Sequence, residues 1–257
     1  MSLTAAQTQF YADNGYLVVE NVVTPAQLAE MRRVIDEIQE GRVSAASKKF
    51  DVNFEPGAGG AAVATKPVLR KLSGLAPNDE FFRSVASRAE VLDVVAELTG
   101  GAKEIFLYGD QAFLKPAFNG SEKPMHQDNS YFKVEPMHYG VTCWMAIDDA
   151  TVENGCMNYV PGSHKLGLVP HREIKNTPHL TPDGSVKFGA EVAVPVPAGA
   201  AIFHHLLALH SSRANNSPKS RRAWAMHYVN GDARFPGMNF DSTSGARAGH
   251  KEMLRVR

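Results

Sequence analysis

Cysteine is scarce in this chain of 257 residues, which contains only Cys143 and Cys156. So few thiols exclude a small scaffold held together by disulfides, and because both lie in apolar segments we predict buried free cysteines. Net charge is lacking as well, since 27 Lys and Arg residues balance 27 Asp and Glu residues. That balance argues against nucleic acid or a membrane surface as the partner, because both favour proteins with a basic excess.

Long hydrophobic runs are also missing, and no stretch approaches the roughly 20 apolar residues that a membrane-spanning helix needs. The opening MSLTAAQTQFYADNG has neither the basic start nor the apolar centre of a secretory signal. We therefore expect a cytoplasmic protein without a membrane partner. The composition that remains, 44% hydrophobic and 21% charged, is that of an ordinary globular protein with a sizeable core.

The first hundred residues are predicted to be mainly helical. A short helix begins after Thr4 and ends at the turn signal Asn14-Gly15, and the strand YLVVENVV follows. Thr24-Pro25 marks the start of a second helix, which the spacing of its apolar residues extends to about residue 40. Another helix is predicted from about residue 78 to 99. Between them, the Gly/Ala-rich residues 55–65 are expected to form a mobile loop that can act as a lid.

The character of the sequence changes after residue 102. Short runs rich in β-branched and aromatic residues are separated by Gly, Pro, Asn or Asp, which is typical of an antiparallel sandwich or barrel. These runs are EIFLYGDQAFLK, YGVTCWMAID, CMNYVPG, EVAVPVPAGAAIF, LLALHSS and RRAWAMHYV. We predict one domain over residues 1–257, with a helical part at about 1–102 packed on one sheet of a β-core at about 103–230. A tail, 231–257, follows.

The segment PMHQDNSYF, residues 124–132, contains a candidate metal site. If it is a strand, His126 and Asp128 point to the same side and Gln127 points away. One imidazole and one carboxylate, joined by a second histidine, form the facial triad of non-haem Fe(II) oxygenases. The spacing alone leaves several candidates for that second histidine, namely His164, His204, His205, His210 and His227.

An oxygenase of this type generally uses 2-oxoglutarate, whose far carboxylate suits the planar guanidinium of an arginine. Arg221 and Arg222 are adjacent on a predicted strand and therefore face opposite sides. Arg221 shares its face with Ala223 and Ala225, which leave room for a ligand, whereas Arg222 shares its face with larger side chains. We predict that Arg221 faces inward.

With these motifs in place, the sequence resembles the phytanoyl-CoA dioxygenase family of Fe(II)- and 2-oxoglutarate-dependent oxygenases. Four segments carry the resemblance in the same order and span most of the chain. They are FYADNGYLVVENVVTPAQL, HQDNSYF, CWMAIDDATVENGCMNYVPGSH and HHLLALHSSRANNSPKSRRAWAMHYV. The resemblance implies a mainly β (α+β) fold, a double-stranded β-helix or jelly roll, with N-terminal helices on one sheet.

The resemblance also implies roles for individual residues. His126, Asp128 and His210 would be the iron ligands, and Arg221 the partner of the far 2-oxoglutarate carboxylate. Further positions that match co-substrate contacts of the family are Gln111, Trp144, Lys71 and Ser212. Three of these have plain alternatives: a core aromatic for Trp144, a solvated lysine for Lys71 and a turn hydroxyl for Ser212. His164 matches a loop histidine that is not a ligand.

The implied activity is hydroxylation of a C–H bond with Fe(II), 2-oxoglutarate and O2, and release of succinate and CO2. Halogenases on this scaffold lack the carboxylate ligand, so Asp128 favours hydroxylation. Desaturation, cyclisation or epoxidation at the same site, and a non-catalytic binding protein, are the alternatives. Strand alternation places Phe132 on the substrate side, with Asn129 and Tyr131 beside it. No run of basic residues matches the phosphates of coenzyme A, which favours a small free substrate. The sequence leaves the oligomeric state open.

Overall fold

The protein, described here by a computed structural model, has a mainly antiparallel β-architecture with helices. The structure describes residues 2–55, 68–236, 240–241, 246–247 and 253–257. The α-helices within these ranges are α1 (Ala5–Asn14), α2 (Pro25–Gln39), α3 (Leu75–Asn78), α4 (Glu80–Ala86), α5 (Ala89–Leu98) and α6 (Asn129–Phe132).

The strands of the first half of the chain lie before and around the candidate metal segment. They are β1 (Tyr16–Val19), β2 (Asp51–Phe54), β3 (Leu69–Ser73), β4 (Ile105–Lys115), β5 (Lys123–His126), β6 (Gly140–Ala146) and β7 (Met157–Tyr159). The later strands are β8 (His171–Glu173), β9 (Leu180–Pro182), β10 (Val192–Val194), β11 (Ala201–His205), β12 (His210–Ser212), β13 (Arg221–Asn230), β14 (Phe240–Asp241), β15 (Ala246–Arg247) and β16 (Leu254–Arg255).

Two sheets provide the framework of the fold. The larger has the order β1-β11-β6-β13-β4-β3-β2, and β16 also pairs with β4. The smaller has the order β10-β7-β12-β5, and two separate ribbons join β8 to β9 and β14 to β15. All these strand pairs are antiparallel.

The division into a helical first part and a later β-part is wrong in one respect. Both edges of the large sheet, β1 and β2, come from the first hundred residues. The strand at β1 was predicted, but β2 and β3 were not, because β2 is exposed at every residue and β3 carries two adjacent cations. Neither therefore shows the apolar alternation by which a strand is recognised in a sequence. The C-terminal tail also contributes a strand to the large sheet, since Leu254 of β16 pairs with Leu107 of β4.

The predicted helix starts and stops are confirmed for the first two helices. Thr4 and Thr24 each form a capping box with the glutamine three residues later, and Pro25 occupies the first turn of α2. Gly15 ends α1 with φ of 80°. A Cβ atom at Gly15 would also collide with the ring of His164, so only glycine fits there.

The prediction of one helix from about residue 78 to 99 is wrong, because this span forms two helices, α4 and α5. Its start is close to the predicted one: Asp79 is extended, and its side chain accepts hydrogen bonds from the N–H groups of Phe81 and Phe82, which begins α4. Arg88 has an extended backbone and separates α4 from α5.

The large sheet is buried on both faces. One core joins it to the helices through Met31, Phe82, Val91, Cys143 and Trp224, among others. The other core lies between the two sheets and includes Trp144, Ala146, Met157, Tyr159, Ala223 and Ala225. Side chains alternate along β6, so Cys143 and Met145 lie in the first core and Trp144 and Ala146 in the second. Cys143 and Cys156 are both free and buried.

No helix in the described ranges of the chain has the length and apolar character needed to cross a membrane.

Candidate active site

Three buried side chains converge between the sheets at the predicted metal segment. His126 is the last residue of β5, and His210, the first of β12, lies directly opposite it in the antiparallel register. Asp128 follows two residues after His126. One ligand atom from each of these three residues lies within 4.8 Å of the other two. The structure therefore selects His210 from the five histidines that the sequence left as candidates.

The local conformation of this segment differs from the predicted strand. β5 ends at His126, and Asp128 has helical angles (φ −57°, ψ −38°) that lead directly into α6. The strand alternation by which Phe132 was placed on the same side as Asp128 is therefore wrong. Gln127 does point away, as predicted: its amide donates to the carbonyl groups of Gly167 and Leu207.

Each of the two histidines has one ring nitrogen engaged by the backbone. Nδ1 of His126 lies 2.8 Å from the carbonyl oxygen of Pro124, and Nδ1 of His210 lies 2.9 Å from that of Ala208. A carbonyl only accepts, so in both rings Nδ1 carries the hydrogen and Nε2 keeps its lone pair. Burial lowers the pKa of both histidines, which keeps them neutral. Such fixed, neutral imidazoles are ready to bind a metal ion.

The carboxylate of Asp128 is also held in one orientation. Its Oδ2 accepts hydrogen bonds from Oγ1 of Thr142 at 2.6 Å and from Nε2 of His204 at 3.1 Å. Its Oδ1 lies 3.5 Å from Nε2 of His126 and 3.7 Å from Nε2 of His210. Burial alone would raise the pKa of Asp128, but the surrounding imidazoles and their hydrogen bonds hold it well below its usual range. The group is a carboxylate with one oxygen engaged and one directed at the two histidines.

The residues that hold Asp128 form a row across the large sheet. Strand register places His204 and His227 on either side of Thr142. Nδ1 of His227 lies 2.9 Å from Oγ1 of Thr142, and the hydroxyl of Tyr159 lies 2.9 Å from Nδ1 of His204. Because Asp128 only accepts, the hydrogen bonds run from His227 through Thr142 and from Tyr159 through His204 to the same oxygen.

Sequence reasoning missed this supporting row. His204 was considered only as a candidate metal ligand, whereas it lies within β11 and its Nε2 donates a hydrogen bond to Asp128. The pairing of β11 and β13 with β6 was needed to bring these residues together. His205, on the opposite face, accepts a hydrogen bond from the N–H of Leu207 and remains outside the row.

Arg221 lies at the start of β13 and is only 1% exposed. Its Nε and Nη1 atoms have no hydrogen-bond partner within the described residues, and its guanidinium carbon is 5.4 Å from the centre of the Trp144 ring. Arg222, its neighbour, faces the other side and pairs with Asp148 and Asp36 at 2.7 Å each. The predicted orientation of the two arginines is confirmed.

The remaining co-substrate candidates lie near the same inter-sheet space. Register aligns Gln111 with Ala225, the residue opposite Trp144, and aligns Lys71 with Phe113. Ser212 is buried on β12, two residues beyond His210. Burial lowers the pKa of Lys71, which argues against a freely solvated side chain.

The three predicted substrate residues have different surroundings. The ring of Phe132 lies 4.6 Å from that of His227, and the ring of Tyr131 lies 5.8 Å from that of His126, between centroids. Asn129 instead uses both ends of its amide to bind the backbone of Val134, which closes the turn after α6 and indicates a structural role. The proposed lid falls on residues 56–65, outside the described residues.

Comparison with known proteins identifies the family. The profile of the phytanoyl-CoA dioxygenase (PhyH) family matches residues 11–223. The chain belongs to the phytanoyl-CoA dioxygenase family. A probable phytanoyl-CoA dioxygenase of Caenorhabditis elegans is 30% identical over 240 residues, which are 90% of this chain and 76% of that protein.

Solved structures show the same fold. The epimerase SnoN, in complex with Fe3+, α-ketoglutarate and nogalamycin RO, superposes with a TM-score of 0.71 at 21% identity and covers 98% of each chain. The non-haem α-ketoglutarate-dependent carbocyclase SnoK has a TM-score of 0.70 at 22% identity and covers 99% of this chain and 97% of its own.

As a member of the phytanoyl-CoA dioxygenase family, the protein is a non-haem oxygenase that depends on Fe(II), 2-oxoglutarate and O2. Its own residues fit these groups. Two Nε2 lone pairs and one carboxylate oxygen provide the donor set of a non-haem iron site. The unpaired donors of the buried Arg221 match the second carboxylate of 2-oxoglutarate.

Proposed function

We propose that the protein hydroxylates an unactivated C–H bond of a small organic substrate. O2 provides the hydroxyl oxygen, and 2-oxoglutarate is oxidised to succinate and CO2. The observation that carries this proposal is the buried group of His126, Asp128 and His210, which shares the inter-sheet space with the unpaired guanidinium of Arg221. We further propose that the two sheets form a double-stranded β-helix and that the whole chain is one domain.

The metal would be held by Nε2 of His126, Nε2 of His210 and Oδ1 of Asp128. Bound there, Fe(II) supplies the activation of O2, which protein side chains cannot provide. The protein contributes the fixed direction of its ligands. Backbone carbonyls orient the two imidazoles, and Thr142 with His204 orients the carboxylate.

The co-substrate would extend from the metal ligands to Arg221. A buried guanidinium whose Nε and Nη1 atoms lack partners among the described residues keeps N–H donors available for a carboxylate, which favours a charge-assisted hydrogen bond. Trp144 would lie against this pair, and Gln111, Lys71 and Ser212 are proposed as further contacts. Phe132 and Tyr131, beside His227 and His126, are proposed to border the substrate.

The presence of Asp128 favours hydroxylation over halogenation, because its carboxylate occupies the position that a halide ligand would need. Desaturation, cyclisation or epoxidation at the same site are alternative outcomes. They are supported by the solved structures of similar fold, which include a carbocyclase and an epimerase. A non-catalytic binding protein is disfavoured. Such a protein has no need for hydrogen bonds that orient His126, His210 and Asp128, or for a buried Arg221 whose Nε and Nη1 atoms lack partners among the described residues. Cytoplasmic location stays a prediction.

The decisive experiment is a substrate screen with Fe(II) and 2-oxoglutarate that follows succinate release, under ordinary O2 and under ¹⁸O2. We expect a substrate that stimulates succinate release and gains 16 or 18 mass units according to the oxygen isotope. His126→Ala should reduce succinate to background. A product that loses two hydrogens would assign desaturation or ring closure, and equal succinate from wild type and His126→Ala would refute the iron site.

A further inference from the structure

Three segments far apart in the sequence bring basic groups together beside the metal residues. Nη2 of Arg70 on β3 lies 3.0 Å from Nε2 of His179, in the loop that precedes β9. Nδ1 of the same ring lies 3.1 Å from Nζ of Lys123 on β5. Nζ of Lys123 is also 3.4 Å from the hydroxyl of Tyr131. We call Arg70, Lys123 and His179 the cationic cluster.

The hydrogen bonds inside the cationic cluster cannot all be satisfied. Burial and the nearby charges of Lys123 and Arg70 lower the pKa of His179 to about 4, so the ring is neutral near pH 7. A neutral imidazole accepts at one nitrogen and carries hydrogen on the other. Since Arg70 and Lys123 are both donors, one of them faces an N–H group and finds no acceptor in the His179 ring.

Few carboxylates lie near the cationic cluster. Within the described residues, no carboxylate lies within 4.0 Å of Nζ of Lys123 or of the neighbouring Lys71, and Arg70 reaches only Glu55, at 3.9 Å. Burial lowers the pKa of Lys123 to about 8, which still leaves it largely charged at neutral pH. Half-buried charges of one sign repel one another and are partly desolvated, so an anion bound here would relieve this cost.

The cluster lies next to the metal residues. The ring of Tyr131, whose hydroxyl contacts Lys123, lies edge-on to His126 with centroids 5.8 Å apart. The charge of Asp128 acts on Lys123 as well. Arg221 is a separate cation that contacts Trp144, so the protein has one anchor for 2-oxoglutarate and a second basic group on the side of His126.

We propose that Arg70 and Lys123, oriented by His179, bind an oxyanion of the substrate, so that the substrate is an organic acid carrying a carboxylate, phosphate or phosphonate. This inference rests on the proposed function. The sequence shows no run of basic residues at this site, because β3, β5 and the loop before β9 bring Arg70, Lys123 and His179 together only in the folded chain. The anion would hold the substrate with its reacting carbon towards the metal ligands.

The first test measures anion binding without turnover. Mn(II) replaces iron in the enzyme saturated with 2-oxoglutarate, and methylphosphonate is the probe, followed by the paramagnetic broadening of its ³¹P signal. Lys123→Met should weaken probe binding about 10-fold, as expected for loss of a charged hydrogen bond. Lys123→Arg should retain it. Lys165→Met, which removes an exposed lysine paired with Asp13, is the matched control and should bind as wild type does.

Three outcomes would overturn the proposal. These are equal broadening in wild type and Lys123→Met, loss of binding in Lys123→Arg, and weaker binding in the Lys165→Met control. Mn(II) binding is verified separately by electron paramagnetic resonance, so failure of the iron site is distinguished from failure of the cationic cluster. Coenzyme A serves as a second probe. Preference for methylphosphonate assigns a small acid, and preference for coenzyme A assigns a phosphate of a larger thioester.

Thermal unfolding separates a binding role from a structural one. Lys123→Met removes a half-buried cation that has no ion pair among the described residues, so its melting temperature without anion should equal or exceed that of wild type. Methylphosphonate should raise the melting temperature of wild type by mass action and leave that of Lys123→Met unchanged. A lower melting temperature in Lys123→Met together with an undiminished response to the probe would show that Lys123 is structural.

Discussion

The two ends of the active site differ in how their polar atoms are satisfied. At the metal end, Asp128 and both histidines have hydrogen bonds to Thr142, His204 or a backbone carbonyl. At the other end, Arg221 is buried to the same degree, yet two of its nitrogens have no partner among the described residues. The protein itself supplies the hydrogen bonds that orient the metal residues, whereas the two nitrogens of Arg221 need an anion as their partner.

This difference reflects what each end must do. Metal ligands need fixed directions before the ion arrives, and hydrogen bonds to the outer atoms of the ligands provide them. An anchor for a dissociable co-substrate must keep its donors available, which makes the free protein less stable by one uncompensated charge. Replacing Arg221, the proposed anchor, should therefore weaken function but stabilise the free protein. Replacing a residue that orients the metal ligands should weaken both function and stability.

The largest effect is expected from Arg221. Arg221→Met removes the anchor, and the KM for 2-oxoglutarate should rise about 100-fold, the cost of a lost buried ion pair. The same change should raise the melting temperature of the protein without ligands, because it removes an unpaired buried charge. Steady-state succinate assays and thermal unfolding measure the two effects.

Arg222→Met is the matched control for Arg221→Met, one residue along the chain. Arg222 is paired with Asp148 and Asp36, so its loss should reduce the free energy of unfolding by about 2 kcal/mol and leave the KM almost unchanged. If both variants changed KM and stability alike, the contrast between the two ends would be refuted.

The metal end is tested through Thr142. Thr142→Val removes the 2.6 Å hydrogen bond to Asp128 at nearly constant volume. We expect Fe(II) affinity to fall about 10-fold, as for other residues that orient metal ligands, and the KM for 2-oxoglutarate to change much less. Anaerobic titration with Co(II), followed by its visible absorption, measures the affinity, and Thr142→Ser should restore it. Unchanged affinity in Thr142→Val would mean that His204 alone orients the carboxylate.

The smallest effect is expected at Trp144, whose ring lies 5.4 Å from the Arg221 guanidinium. Trp144→Phe weakens this cation–π contact, and the KM for 2-oxoglutarate should rise about 3-fold. Quenching of protein fluorescence by 2-oxoglutarate should fall in parallel, since one of only two tryptophans is removed. An unchanged KM would mean that Trp144 acts only as a core side chain.

Local rules explain which elements could be predicted. The helix starts at Thr4 and at Thr24-Pro25 depend on residues close in sequence, and both are confirmed. The break at Arg88 was missed because the apolar periodicity continues across it. The helical conformation of Asp128 was missed for a related reason, since a two-residue spacing carries no information on whether the strand continues.

The amino-acid sequence by itself determined the chemistry available to this protein: two metal-binding residues in one short segment, an arginine on the inward face of its strand, and the family to which these motifs point. Only the folded chain decided which histidine completes the metal group, which side chains orient Asp128, and that Arg70, Lys123 and His179 meet. Contacts of this kind join residues up to about a hundred positions apart through strand pairing, and no local pattern of residue types encodes such pairing.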